Sequence, residues 1–391
     1  MFCGNLFIEL YEKEPDDVAF CPYRVSPLGA HIDHQYGKIN GLAINKGIHF
    51  AYRKKKSGIC ELQSINFPEQ RAQFHVNTIP DKKLGDWADH LRGAALMLSR
   101  SYKLTYGVEG VLEGSLPIGG LSSSAAVIIV FLSALAKVND IHLGDWELIM
   151  MAKAAENEYV GVNCGKLDQS CEVLCRKGQL LYLDTKDDSY ELIPISPDMP
   201  PYKIAIFFSG LERSLANSAY NARQDECKAA AYALKAFAGI EYEKFIDTRL
   251  RDVPVEIFHQ YKEQLPLNWR KRAEHYYTEI ARAEAGAEAW RQGDLKEYGR
   301  LVFDSGYSSV HNYESGCPEL IKLYDIMTHT EGIYGGRFSG AGFKGCCMAL
   351  IDPAYAESIE HKVEEEYLKA FPELKGKYQF ALCESADGVK L

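Results

Sequence analysis

The sequence predicts an α+β fold in two domains, on three observations. Helical and β-like runs are interspersed in both halves of the 391-residue chain. A proline cluster at Pro194, Pro197, Pro200 and Pro201 interrupts the pattern midway. A hydrophobic content of 47% supplies apolar material for more than one core. The boundary falls at the prolines, giving domains 1–200 and 201–391.

Short β-like runs come first, at Val18–Val25, Gly41–Arg53 and Ile59–Phe67. Leu84–Arg100 sets Trp87, Leu91, Ala94, Ala95 and Leu98 on one side, which is helical spacing. Another β-like run, Leu104–Leu112, leads into a glycine-rich turn. Ser122–Val138 is apolar nearly all round and reads as a buried helix. Helical runs at Gly144–Tyr159 and Lys166–Arg176 and a strand at Gln179–Leu183 complete the first half. Beyond the prolines lie a strand at Lys203–Ser209, helices at Ala219–Ala238 and Arg270–Gln292, and strands at Cys346–Ile351 and Tyr378–Ala381.

Composition excludes several function classes. Lys plus Arg is 44 against 54 for Asp plus Glu, a net charge of −10 that works against a nucleic-acid or anionic-membrane partner. The longest apolar stretch, Ser124–Ala136, falls short of the about 20 residues that span a bilayer. Met1–Tyr11 turns acidic at Glu9, and Glu12 and Glu14 follow, which is no secretory signal, so the expected location is cytoplasmic. Eleven cysteines with no CxxC pair read as reduced thiols. Cys171 and Cys175 have no matching second pair for a zinc site.

Four segments carry chemistry. Pro117-Ile118-Gly119-Gly120-Leu121-Ser122-Ser123-Ser124-Ala125-Ala126 lies between a strand and the buried helix. Its glycines and the helix N-terminus suit an anion, and its hydroxyls can reach a metal bound to phosphate. No lysine follows, so it is not a GxxxxGKS-type loop; a serine cap on a core helix is the plainer alternative. Arg24-Val25-Ser26-Pro27-Leu28-Gly29-Ala30-His31-Ile32-Asp33-His34 gathers a guanidinium, a carboxylate and two imidazoles around a turn. A metal site there lacks an evident fourth ligand, whereas Asp and His also bind sugar hydroxyls. Gly161-Val162-Asn163-Cys164-Gly165-Lys166-Leu167-Asp168-Gln169 opens a helix with a carboxylate in its first turn. The run Gly335–Gly345 holds enough glycine to imply a backbone packed tightly against another strand or a ligand.

Taken in order, these segments resemble the GHMP small-molecule kinases, and most of all their galactokinase branch. The turn at Arg24–His34 is similar to the branch's RVNLIGEHxDY signature. Ser214-Leu215-Ala216-Asn217-Ser218-Ala219-Tyr220 with Arg223-Gln224-Asp225-Glu226-Cys227 resembles SLASSEY…RRQCEE. The match runs from about Cys21 to Leu350. It implies a ribosomal-S5-like N-terminal domain and a ferredoxin-like C-terminal domain with the active site in the cleft between them. It also implies ATP, Mg²⁺ and transfer of the γ-phosphoryl group to a sugar's anomeric hydroxyl. Residue by residue, Asp168 matches the acidic group that takes the hydroxyl proton and Arg24 its cationic partner. Ser124 and Glu156 match the magnesium ligands, and Asp33, His31 and Tyr220 match sugar contacts. Gly119, Gly120, Leu121, Ser122, Ser123 and Ser124 match the nucleotide loop.

The departures carry the specificity. The phosphate loop is one residue shorter than PxGxGLSSS, and Lys344 stands where the branch has glycine. Ala30 replaces the Glu of GEH, whose role in the family is to accept a hydrogen bond from the sugar's C6 hydroxyl. A C6 carboxylate would meet that Glu with like charge, and Ala30 removes the repulsion. The chain therefore looks most like the galacturonokinases. The expected substrate is a hexuronic acid, D-galacturonate first, with galactose as the alternative. Lys344 is the first candidate to face the C6 carboxylate, with Lys46 and Arg213 behind it. A non-catalytic sugar sensor is disfavoured because Ser122–Ala126, Glu156, Asp168 and Arg24 are all present.

Overall fold

The computed structural model describes residues 2–211, 217–241 and 243–390. Arg213 and the start of the Ser214–Tyr220 segment lie outside them. Among the described residues no helix is long and apolar enough to cross a membrane. All eleven cysteines are unpaired, Cys164 and Cys317 being the two that are partly exposed.

The chain begins with α1 (Phe2–Tyr11), and the larger sheet follows. Its spine is β2 (Lys38–Lys55), which pairs with β1 (Asp17–Val25), β5 (Gly107–Gly114) and β6 (Gln179–Asp184). β3 (Ile59–Ser64) and β4 (Phe67–His75) extend it on one side and β7 (Tyr190–Pro194) on the other. Between these strands come α2 (Asp89–Ser101), α3 (Ser123–Val138), α4 (Asp145–Ala154) and α5 (Leu167–Leu174). The β1–β2 connection carries the Arg24–His34 turn. The β5–α3 connection carries the Gly-Ser loop.

The second sheet runs β11-β8-β10-β9, from β8 (Lys203–Phe208), β9 (Ile333–Phe338), β10 (Cys346–Ile351) and β11 (Gln379–Cys383). β10 is buried along its whole length, and its residues alternate between two cores. Cys346, Met348 and Leu350 join the large core of the first sheet, while Cys347, Ala349 and Ile351 join a second core. That second core is closed by α10 (Pro318–Thr328) and α11 (Ala356–Ala370). The period-2 alternation of a strand thus cements the two halves. α6 (Asn217–Phe237), α7 (Val255–Tyr261), α8 (Leu267–Arg291) and α9 (Leu295–Ser308) lie between β8 and β9 in the chain. Ala283, Ala287 and Trp290 of α8 pack into the large core. The chain then returns, as β12 (Ser385–Ala386) pairs with Ile44 and Ala43 of β2.

Several expected boundaries differ for visible reasons. The run Ile59–Phe67 is two strands, turned at Asn66, whose backbone N–H donates to Ser64 Oγ. The helix expected from Leu84 begins at Asp89. The Asp89 carboxylate accepts the N–H groups of Leu84 and Gly85, and Gly85 is left-handed at φ 87°, so the chain ahead of it is a loop. The helix expected over Gly144–Tyr159 stops at Ala154 and widens into a π turn at Ala155–Val160. The glycine-rich run is partly β9 itself.

Candidate active site

The Arg24–His34 turn is held from the second half of the chain. Gly29 at φ 86° lies so close to Ile39 that a Cβ there would strike backbone. Its N–H donates to Glu279 Oε1 at 2.8 Å and the Ala30 N–H to the same oxygen at 3.3 Å. His275 Nε2 meets the Ala30 carbonyl at 3.0 Å. His31 is left-handed at φ 63° and stacks on Tyr313 with ring centroids 4.3 Å apart. Non-glycine residues adopt that backbone region sparingly, and a surrounding structure must enforce it. Here the enforcing element is α8, which carries Glu279 and His275.

The Gly-Ser loop is pressed against the loop preceding β10. A Cβ on Gly345 would meet Gly119 at 2.8 Å, and one on Gly340 would meet Gly120 at 2.9 Å. The glycines read from sequence as tightly packed are therefore in contact with the other glycine-rich segment. Arg24 Nη1 and Ser339 Oγ both donate to the Gly120 carbonyl, at 3.0 and 2.7 Å. Lys344 rides on this loop, directly beside the Gly-Ser loop. Ser122 is left-handed at φ 63°, and its hydroxyl does not cap α3: it donates to Asp168 Oδ2 at 2.8 Å.

Asp168 is thus held at both oxygens, because Arg24 Nε donates to Oδ1 at 2.7 Å. Arg24 is 3% exposed and Asp168 27%, so the carboxylate faces the cleft from a buried partner. Asp33 accepts the Leu167 N–H at 3.2 Å, and a Cβ on Gly165 would land on its carboxylate. Burial, and then the Asp168 charge, push the Asp33 carboxyl up to about 6. Burial brings His34 down to about 3, with Lys228 and Arg249 adding to it, so this imidazole is neutral. Glu156, in the π turn after α4, accepts from Gln169 Nε2 at 2.6 Å.

Glu172 lies behind the cleft, coupled to Asp168 and Arg24, and no sequence motif singled it out. It lies one helical turn beyond Asp168 on α5, is wholly buried, and its carboxyl is pushed well above the ordinary range by burial and then by Asp168. A carboxyl raised in the folded state costs stability as pH rises above its unfolded value of about 4.3. Glu172→Gln is therefore expected to raise the melting temperature at pH 8 and to change it least at pH 5, as thermal unfolding at the two pH values would reveal.

One cleft of about 160 Å³ is lined by Arg24, Asp168, Glu156, Lys344 and every candidate of the sugar turn and the Gly-Ser loop except Leu121, which is 1% exposed and belongs to the core. Lys46 does not line this cleft. A second cavity of about 770 Å³ adjoins it across Ser123 and Ser124. Phe67 and Trp87 line it with near-parallel rings, centroids 6.3 Å apart, a wall suited to a flat heterocycle. The helical periodicity that assigned Trp87 to the apolar side of α2 hid this. Among the described residues no three His, Cys, Asp or Glu side chains form a metal cluster. Ser124 and Glu156 nevertheless present hard oxygens to the same cleft, a partial set that fits Mg²⁺ when phosphate oxygens supply the rest.

Comparison with known proteins agrees with this geometry. The GHMP kinases N terminal domain matches residues 89–176 and the GHMP kinases C terminal domain residues 287–369. The galactokinase galactose-binding signature matches residues 5–54. The chain is 38% identical to a galacturonokinase of Arabidopsis thaliana, over 96% of this chain and 93% of that protein. It is 30% identical to a galactokinase of Roseiflexus, over 98% and 95%. The crystal structure of Lactococcus lactis galactokinase complexed with galactose superposes with a TM-score of 0.89 at 26% identity, covering 99% of this chain and 98% of that one. Methanococcus jannaschii mevalonate kinase shares the fold at a TM-score of 0.63 and 15% identity. With two sheets, a shared cleft and these matches along nearly its whole length, the chain belongs to the GHMP kinases and is an ATP-dependent sugar kinase of their galactokinase branch.

Proposed function

We propose that this kinase phosphorylates the anomeric hydroxyl of a hexuronic acid, D-galacturonate, to give the 1-phosphate. The observation that carries the reading is Ala30: a small side chain, 7% exposed, at the cleft position where the galactokinase signature has a glutamate. Similarity to a galacturonokinase over almost the full chain supports it. Galactose is the second reading, favoured by the galactose-binding signature and by the galactokinase neighbours. ADP release measured with galacturonate, glucuronate and galactose tests the two readings. A higher kcat/KM for galactose than for galacturonate would replace the first with the second.

The chemistry follows from the charges around Asp168. Its carboxylate accepts the proton of the C1 hydroxyl as that oxygen bonds to phosphorus and the bond to ADP breaks. Arg24 fixes the carboxylate and adds positive charge beside the Gly-Ser loop, whose N–H groups and helix N-terminus face phosphate oxygens. Asp33 and Tyr220 receive sugar hydroxyls. The second cavity receives the adenine, and Lys344 stands at the phosphate end. Mg²⁺ would be held by Ser124 and Glu156 and would neutralise phosphate charge.

Ser124→Ala and Glu156→Gln are each expected to raise the Mg²⁺ concentration needed for half-maximal rate, since each removes an oxygen ligand. Titrations that match the unaltered protein in both variants would remove the pair from the metal site.

A further inference from the structure

Beneath the Gly29–Ala30 turn lies an ion group that the sugar-kinase chemistry does not use. Glu279 is fully buried and is shared by two guanidiniums: Arg282 Nε at 2.8 Å and Arg337 Nη1 at 3.5 Å. Burial alone would raise the Glu279 carboxyl, but Arg282 and Arg337 outweigh it and hold it at about 2. Arginine keeps its charge in proteins, so two positive charges answer one negative. Arg337 is itself wholly buried. Its remaining N–H groups go to Phe338 O, Ser305 Oγ and Ser309 Oγ, so it acts on the cleft through its field and not by contact.

His31 lines the cleft within reach of this group's charge. Its side chain is 5% exposed, and Nε2 has no hydrogen-bond partner among the described residues. An orphaned polar atom at that depth is uncommon and asks for a ligand. The groups acting on it are mostly cationic or basic. Arg337 from β9, His275 from α8, and His34 and Arg24 from its own turn and strand all oppose a proton there, with burial first among the causes. His275 is driven to about 4 and is already engaged by Ser308 and the Ala30 carbonyl. Tyr313 covers one ring face and Tyr220 lies 6.5 Å away. Asp33, two residues on, is turned toward Leu167 and Gly165. Lys344, by contrast, sits at the Gly-Ser loop.

Resting on the uronate reading, we infer that His31 Nε2 is the donor to the C6 carboxylate and that the imidazole takes up a proton from solvent when the uronate binds. The carboxylate enters a pocket left open by Ala30, over an ion group with one positive charge in excess. It thereby supplies the anion that His31 lacks in the free protein. A buried carboxylate without a partner is unfavourable, and an imidazolium formed on demand meets that need while leaving the empty site uncharged. Galactose, with a neutral C6 hydroxyl, gives His31 no reason to protonate.

The test is calorimetric binding of galacturonate and of galactose in buffers of different ionisation enthalpy, which counts protons. Galacturonate is expected to bind with net proton uptake that rises toward one as pH falls from 7.5 to 6, and galactose with less by that amount. Any proton exchanged at Asp33 is common to both sugars and cancels in the difference. His31→Gln should abolish the difference and lower the galacturonate-to-galactose ratio of kcat/KM by about tenfold or more. Equal uptake for the two sugars overturns the inference, as does a difference that survives in His31→Gln or a ratio that does not move. If His31→Gln fails to fold, the proton count of the unaltered protein decides alone. A protein that prefers galacturonate but takes up no extra proton loses only the role of His31, whereas one that prefers galactose loses the uronate reading itself.

Discussion

Asp168→Asn is expected to lower kcat by about 10²-fold or more while nucleotide binding persists. The amide cannot take the hydroxyl proton, and the loss is expected on the chemical step because the proposed nucleotide contacts lie elsewhere, in the Gly-Ser loop and the adjoining cavity. A second effect accompanies it. Arg24 is almost fully buried, and its Nε reaches Asp168 at 2.7 Å. Neutralising that partner removes the carboxylate nearest a buried guanidinium, and a fully stranded buried charge would cost about 3–5 kcal/mol; Glu172, which acts on the same guanidinium, offsets part of that loss. Thermal unfolding should therefore fall alongside turnover. Measured with saturating substrates on protein shown to bind ATP, a near-unaltered kcat would remove Asp168 from the reaction.

The parts of the fold legible in sequence were those with one dominant periodicity. Ser122–Val138 is apolar on every side because α3 sits between α2, α4 and the large sheet, and it was assigned to within a residue. Cys346–Ile351 is likewise continuous and apolar because β10 has a core on each face. α11 was illegible for the opposite reason: only Ile359, Val363 and Tyr367 point inward, a narrow stripe among charged residues. β7 is short and mostly exposed, so its pattern carries no burial signal.

The site divided in the same way. Residues that act through local backbone geometry were readable, since glycines, serines and an Asp in a helix's first turn announce themselves over a few positions. Glu279, Arg337 and Glu172 were not. Glu279 reaches Gly29 across 250 residues of chain, and no local pattern encodes that contact. The pairing of Phe67 with Trp87 depends on a loop that replaced the expected first turn of α2. Lys344, expected from sequence to face the C6 carboxylate, lines the cleft on a loop whose Gly345 touches Gly119 of the Gly-Ser loop, a contact that no local sequence pattern encodes.

Ala30→Glu is expected to reverse the sugar preference. The Ala30 N–H already donates to Glu279 Oε1 at 3.3 Å, and Ala30 lines the cleft. A glutamate there would bring a carboxylate against the C6 carboxylate of galacturonate, in a pocket with little solvent to screen the pair. Like charges so placed cost several kcal/mol, and about 1.4 kcal/mol corresponds to a tenfold change, so kcat/KM for galacturonate should fall by about 10²-fold or more. Galactose should lose less or gain, because its C6 hydroxyl can donate to the new carboxylate. The new charge would also partly answer the positive excess of Arg282, Arg337 and Glu279, which favours folding of the variant over what burial alone would allow. Any general loss of stability enters both sugars equally and drops out of their ratio. A ratio that fails to move toward galactose would show that Ala30 does not face C6, and the uronate reading would lose the observation that carries it while the kinase chemistry at Asp168 stood unchanged.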